Sequence, residues 1–226
     1  PEGGELATTT TYLNEQNAQV MIATYSLSEN NSLEGDITIK TKGIQYDNHF
    51  PMKDKSEDDI IEQYKNNWSN INNLNIRSFD FTNDVDTVEF VENISVSATN
   101  YGTKSGERIL FAVNAFNKNG FVPKRYRNRQ LPLEIQRGFL DEDEFVINLP
   151  QGYKVEAIPN AENIENEFGT YIMTIEETNE GKSLLYKRKL LIKEGDYSKE
   201  KYDDYRNFRK EVSNNDNAKV VLIKKP

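Results

Sequence analysis

Apolar residues recur every second position through most of this chain. Phe145, Ile147 and Leu149 share one spacing, and Tyr153, Val155 and Ala157 resume it after Pro150-Gln151-Gly152. A strand sends successive side chains to opposite faces, so each set reads as one face of a half-buried strand. Proline and glycine between them supply turn chemistry, and Pro159 ends the second strand because it cannot donate to a ladder. The same period predicts a strand where Val20, Ile22 and Thr24 alternate with Met21, Ala23 and Tyr25. Its hairpin partner is Leu33 to Lys42, across the turn Glu29-Asn30-Asn31-Ser32.

Further strands are predicted over Leu74 to Phe81, Val88 to Ala98, Ile109 to Ala115 and around Tyr171 and Met173. Asn179-Glu180-Gly181 turns the last of these into a strand with Leu184, Tyr186, Arg188, Leu190 and Ile192 on one face. Ala218 to Ile223 is a closing apolar strand, expected to dock into a sheet because a bare apolar edge invites aggregation. Glu92 interrupts the face shared by Phe90, Ile94 and Val96, which suggests a bulge or strand end there. Thr8 to Leu13 is threonine-rich and β-prone, after a flexible lead-in over Pro1 to Leu6.

Two stretches change period. Ile60, Ile61, Tyr64 and Trp68 fall at helical spacing, with Ser56 and Asp59 placed as a capping box, so a helix is predicted over 56–68. Tyr202, Tyr205, Phe208 and Val212 predict a second over 198–212, with Ser198 as cap. The fold class is therefore mostly β and sandwich-like: two packed antiparallel subdomains with about two α-helices. Lys118-Asn119-Gly120 is the best boundary, giving 1–119 and 120–226, although a strand can cross between the halves.

Composition narrows the chemistry. With 226 residues and 36% hydrophobic content the chain can bury a core without staples. There is no cysteine, which removes disulfides, thiolate nucleophiles and thiolate metal sites. No apolar run approaches the ~20 residues of a membrane span. The net charge of −9 lacks the basic footprint of a nucleic-acid binder. Lys124, Arg125, Arg127 and Arg129 form a local exception around Tyr126, read as an intramolecular ion-pair segment.

The acidic run Asp141-Glu142-Asp143-Glu144 lacks the EF-hand pattern and reads as a solvated loop feeding a strand. A surface cation near Asp141-Asp143 or Asp84-Asp86 is the alternative, and no cofactor is expected. His49 is the only histidine and there is no G-x-S-x-G elbow, so a structural role is expected for it. No catalytic, cofactor or metal residue is assigned. Trp68, Tyr186 and Tyr202 are the aromatic side chains a sugar-binding module would need exposed. A carboxylate-based hydrolase would need a cleft with two facing acids.

LPLEIQRGFLDEDEFVINLPQGYKVEAIP, followed by EFGTY, LLYKRKLLIKEGDYSKEKYDDYRNFRK and DNAKVVLIKK, resembles the C-terminal β-rich domain that follows a transglutaminase-like domain in large bacterial exported proteins. The resemblance covers most of the chain and is strongest from Leu131 onward. It implies a non-catalytic companion module, because that family's Cys-His-Asp triad has no counterpart here. It also implies a periplasmic or cell-surface location and an upstream transglutaminase-like partner on the same parent chain. A carbohydrate- or cell-wall-binding module is the alternative.

Overall fold

The computed structural model describes residues 12–226. The expected lead-in, and the threonine-rich segment up to residue 11, lie outside them. The strands are β1 (Ala18–Leu27), β2 (Leu33–Lys42), β3 (Leu74–Asp84), β4 (Glu89–Ala98), β5 (Thr103–Ser105), β6 (Arg108–Ala112) and β7 (Leu133–Ile135). They continue with β8 (Phe139–Asn148), β9 (Tyr153–Ala157), β10 (Glu162–Asn166), β11 (Gly169–Thr178), β12 (Ser183–Ile192), β13 (Gly195–Tyr197) and β14 (Lys219–Lys224). The helices are α1 (Ile44–His49), α2 (Glu57–Asn67) and α3 (Tyr202–Asp216).

The protein is mostly β. Eight strands form one large sheet in the order β10-β11-β12-β8-β1-β2-β4-β3. Every pairing in it is antiparallel except β1 with β8, which run parallel from Ala18↔Leu140 to Ser26↔Asn148. The two antiparallel halves therefore meet edge to edge through that pair. A second, four-stranded sheet has the order β5-β6-β14-β9. Here β6, from ahead of the 118–120 punctuation, pairs with β14 near the end of the chain. The chain thus crosses between halves in both sheets. The closing strand docks centrally, with both its edges covered.

One face of the large sheet is the core face. Met21, Ala23, Tyr25 and Leu27 lie inward beside Ile37, Ile39, Phe90, Ile94, Phe145, Ile147, Tyr186 and Leu190. One apolar cluster unites this face with Tyr64 and Trp68 at α2, Phe208 and Val212 of α3, and Phe111 and Leu222 of the second sheet. The outer face stays wet, with ladders such as Lys187–Glu144 at 3.0 Å and Lys189–Glu142 at 3.1 Å. Half-buried antiparallel sheets give this apolar-in, polar-out alternation.

Both helix readings fall on helices. Ser56 accepts from the Asp59 amide at 3.2 Å, as a cap should. Ser198 makes no such bond; a short 3₁₀ turn follows it, and α3 starts at Tyr202 and runs on to Asp216. The turn after β8 forms, with Gly152 at φ 79° and the Tyr153 amide bonded to the Pro150 carbonyl at 3.2 Å. Yet β8 and β9 do not make a hairpin, for β8 lies between β1 and β12 while β9 pairs with β14.

Candidate functional site

Glu92 sits mid-strand in β4, in unbroken register with Ile39 and Phe81 on its two neighbours. No bulge occurs there; the ladder slips instead in β3, between Ile76 and Ser78. The carboxylate is tolerated because both oxygens are bonded. His49 Nδ1 donates to Oε1 at 2.5 Å and the Tyr64 hydroxyl donates to Oε2 at 2.5 Å. Glu92 is only 1% exposed, and an unpaired carboxylate that deep would be very costly.

Local chain geometry brings these three together. Gly43, at φ 58°, turns the chain out of β2 into α1, whose last residue is His49. A Cβ at position 43 would meet Asn17 Oδ1 at 2.6 Å, the atom that accepts from the Ile44 amide. Tyr64 lies on the buried stripe of α2, one turn after Ile60, and its ring stacks with Trp68 at 5.2 Å between centroids. Burial, then the Glu92 charge, push the Tyr64 hydroxyl far above its ordinary range, so it remains a donor.

The trio borders a cavity of about 240 Å³, whose wall also includes Gln19, Gln63, Asn67, Trp68 and Lys118. With Nδ1 engaged by Glu92, Nε2 is the imidazole's remaining hydrogen-bonding atom. Among the described residues no serine or threonine lines the cavity, and the one hydroxyl in its wall is that of the tied Tyr64. Among the described residues Glu92 is the one carboxylate in the cavity wall. The row Glu92–Ile39–Met21–Asp143 crosses three strand intervals. That places the two backbones about 14 Å apart at ~4.8 Å per interval.

The acidic run is not a solvated loop. It forms part of β8, where period two splits it. Glu142 and Glu144 face out toward their lysines, whereas Asp141 and Asp143 face the core at 5% and 4% exposure. Arg188, from the apolar face of β12, takes the place of a cation. Its Nη1 donates to Asp143 at 2.7 Å, and its Nε and Nη2 donate to the two oxygens of Asp216 at 2.8 and 3.0 Å. Asp216 also accepts from the Tyr171 hydroxyl and the Asn119 amide. Asp141 lies further off, 4.0 Å from Nη1, and accepts from Gln45. Burial pushes the Asp141 carboxyl up to about 7; Arg188 opposes this, and Asp143 and Asp216 add to it. Such a set, bonded on all sides, is a structural centre.

The remaining sequence candidates resolve individually. Asp84 accepts from the amides of Asp86 and Thr87, which is turn chemistry and holds the carboxyl below its ordinary range. Among the described residues no group of three or more His, Asp or Glu is placed to hold a metal. Trp68, Tyr186 and Tyr202 are all buried, at 3%, 0% and 7%. The basic segment makes no ion pair among the described residues. Instead the Arg129 guanidinium lies 4.1 Å from the Tyr202 ring centroid and donates to the Pro132 carbonyl.

Sequence reasoning missed two functions of charge. Glu92 and Arg188 each stand on an otherwise apolar face, and a charged residue in such a place needs a buried partner. That signal was present for both, but neither partner could be read from spacing.

Residues 107–222 match the family model for a domain of unknown function with a solved structure, DUF3858. The chain belongs to this family. The DUF3858 match begins just ahead of β6 and ends within β14, the two strands that pair with each other, so it takes in β6 as well as residues 120–222. Comparison with curated proteins gave no match. Among solved structures, a Parabacteroides distasonis protein described as a candidate protease is 19% identical with a TM-score of 0.38. That likeness covers 44% of this chain and 19% of the other, so the chain spans about a fifth of that protein's length. Baculovirus P35 is 8% identical with a TM-score of 0.20, over 92% of this chain and 96% of its own. Likeness at these levels bears on neither activity nor substrate.

Proposed function

We propose that the chain is a non-catalytic accessory module of an exported, multidomain bacterial protein, and that it docks the transglutaminase-like domain preceding it. The observation that supports this is the outer face of the large sheet around β1. Ile22 is 55% exposed there and Ile172 37%, on either side of the Lys187–Glu144 and Lys189–Glu142 pairs. Together with Val20 they line a shallow depression of about 430 Å³. Apolar side chains around compensated charge suit a moderately polar interdomain contact.

The test is calorimetry of the chain against the separately purified transglutaminase-like domain of its parent. Binding is expected, and Ile22→Glu with Ile172→Glu should weaken it at least ten-fold while the melting temperature holds. If wild type shows no heat of binding and no shift in melting temperature on mixing, the docking role is lost. Fractionation of cells bearing the full parent protein tests export; recovery in the cytosol would contradict it.

A further inference from the structure

The cavity beside Glu92 lies on the core side of the sheet, away from the docking face, and it contains unmet polar groups. Lys118 is half-buried in its wall and forms no ion pair or hydrogen bond among the described residues. Its charged neighbours do not help. Lys219 repels it, and Asp216 is already bonded to Arg188, Tyr171 and the Asn119 amide. Gln19, also in the wall and 8% exposed, makes no side-chain hydrogen bond among the described residues. Asn67 makes none either, and Gln63 uses only its Oε1, which accepts from Lys55. Gln19 is buried, Lys118 and Gln63 are half-buried and Asn67 is exposed; polar groups that line a cavity without a protein partner can offer their hydrogen bonds to a ligand.

We propose that this cavity binds a small organic monocarboxylate bearing an amide or hydroxyl beside its carboxylate. The carboxylate would pair with Lys118, and the carboxamides of Gln19, Gln63 and Asn67 would bond the neighbouring polar group. Met21, Ile39 and Met52, also in the wall, offer apolar contact to the ligand's carbon atoms. Charge selects a monoanion over phosphate, because among the described residues the wall has one unpaired cation and the Glu92 carboxylate repels a second negative charge. Free small acids and the C-terminal residue of a peptide share this chemistry.

The experiment is titration of the whole chain, by calorimetry and by amide shifts in NMR, with four probes: N-acetylglycine, neutral N-acetylglycinamide, inorganic phosphate and an Ala-Ala-Gly peptide with a free carboxylate. N-acetylglycine should bind and shift the amides of Gln19, Asn67 and Lys118. The neutral amide and phosphate should each bind at least ten-fold more weakly. Tighter binding by the peptide than by N-acetylglycine assigns the source to a chain terminus; the reverse assigns it to a free acid. Lys118→Met should lose at least ten-fold affinity with its melting temperature unchanged, and Gln19→Leu should weaken binding without abolishing it. Equal binding of the acid and its amide, preference for phosphate, an unaffected Lys118→Met, or no shift with either carboxylate probe at tens of millimolar would each overturn the assignment. None of these outcomes touches the docking role, which is read on the other face.

Discussion

Burial decides what each charged residue does here. Asp141 shows this with a definite sign. Its carboxyl titrates at about 7 in the fold, chiefly through burial, against an ordinary value near 3.8. Folding therefore takes up a proton between about pH 4 and 7, so this group's contribution to stability falls as pH rises through that window. The slope is on the order of 1.4 kcal/mol per pH unit. Asp141→Asn keeps a group that can accept from Gln45 but removes the titration. In urea unfolding from pH 5 to 8, the variant should show a flatter profile than wild type and greater stability at pH 8. Identical profiles would mean that Asp141 is ionised in the folded protein. Glu92 has both its oxygens bonded. Glu92→Ala would orphan the Tyr64 hydroxyl and the His49 Nδ1, and should cost about 2–5 kcal/mol in the same measurement.

At the scale of elements, alternation was legible and partnership was not. Phe145 and Ile147 are fully buried, and Val146 between them faces the wetter side. Phe145 packs at 6.0 Å from the Phe116 ring and 5.4 Å from the Tyr186 ring. Phe145→Ala should lose about 3–5 kcal/mol and Val146→Ala under about 1 kcal/mol by urea titration. Comparable losses would refute the period-two reading of β8. Local signals such as the Ser56 cap, the turn at Asn179–Gly181 and the stripe of α2 were readable because short-range chemistry sets them. The acidic run misled because charge density is a one-dimensional property. Whether Asp141 and Asp143 meet water or Arg188 depends on a strand paired more than forty residues away. The candidate cavity was illegible for the same reason: His49, Tyr64, Glu92 and Lys118 come from four separate segments, none with a sequence motif.

For the whole molecule, the parallel β1–β8 pair is the junction on which both halves rest. Parallel neighbours cannot be joined by a tight turn, and the connection here spans everything from β2 to β7. The two antiparallel halves alone would present β1 and β8 as long apolar-faced edges. The β6–β14 pairing adds a second join across the 118–120 punctuation. The DUF3858 match omits β1, yet β8 has β1 along its whole length from Leu140 to Asn148. A fragment of 107–226 would thus expose the β8 edge, together with the inward side chains that pack on Tyr25, itself a T-shaped neighbour of Phe116 and a donor to the Val113 carbonyl. The full chain should unfold in one cooperative transition seen alike by calorimetry, circular dichroism and Trp68 fluorescence, because Trp68 lies in the first half but bonds the Phe116 carbonyl that leads into the second. The fragment should associate or fail to melt cooperatively, and adding residues 12–106 in trans should restore a monomeric complex. Two separate transitions in the intact chain, or a stable monomeric 107–226, would show that the halves are independent domains and that the shared sheet is a contact between them.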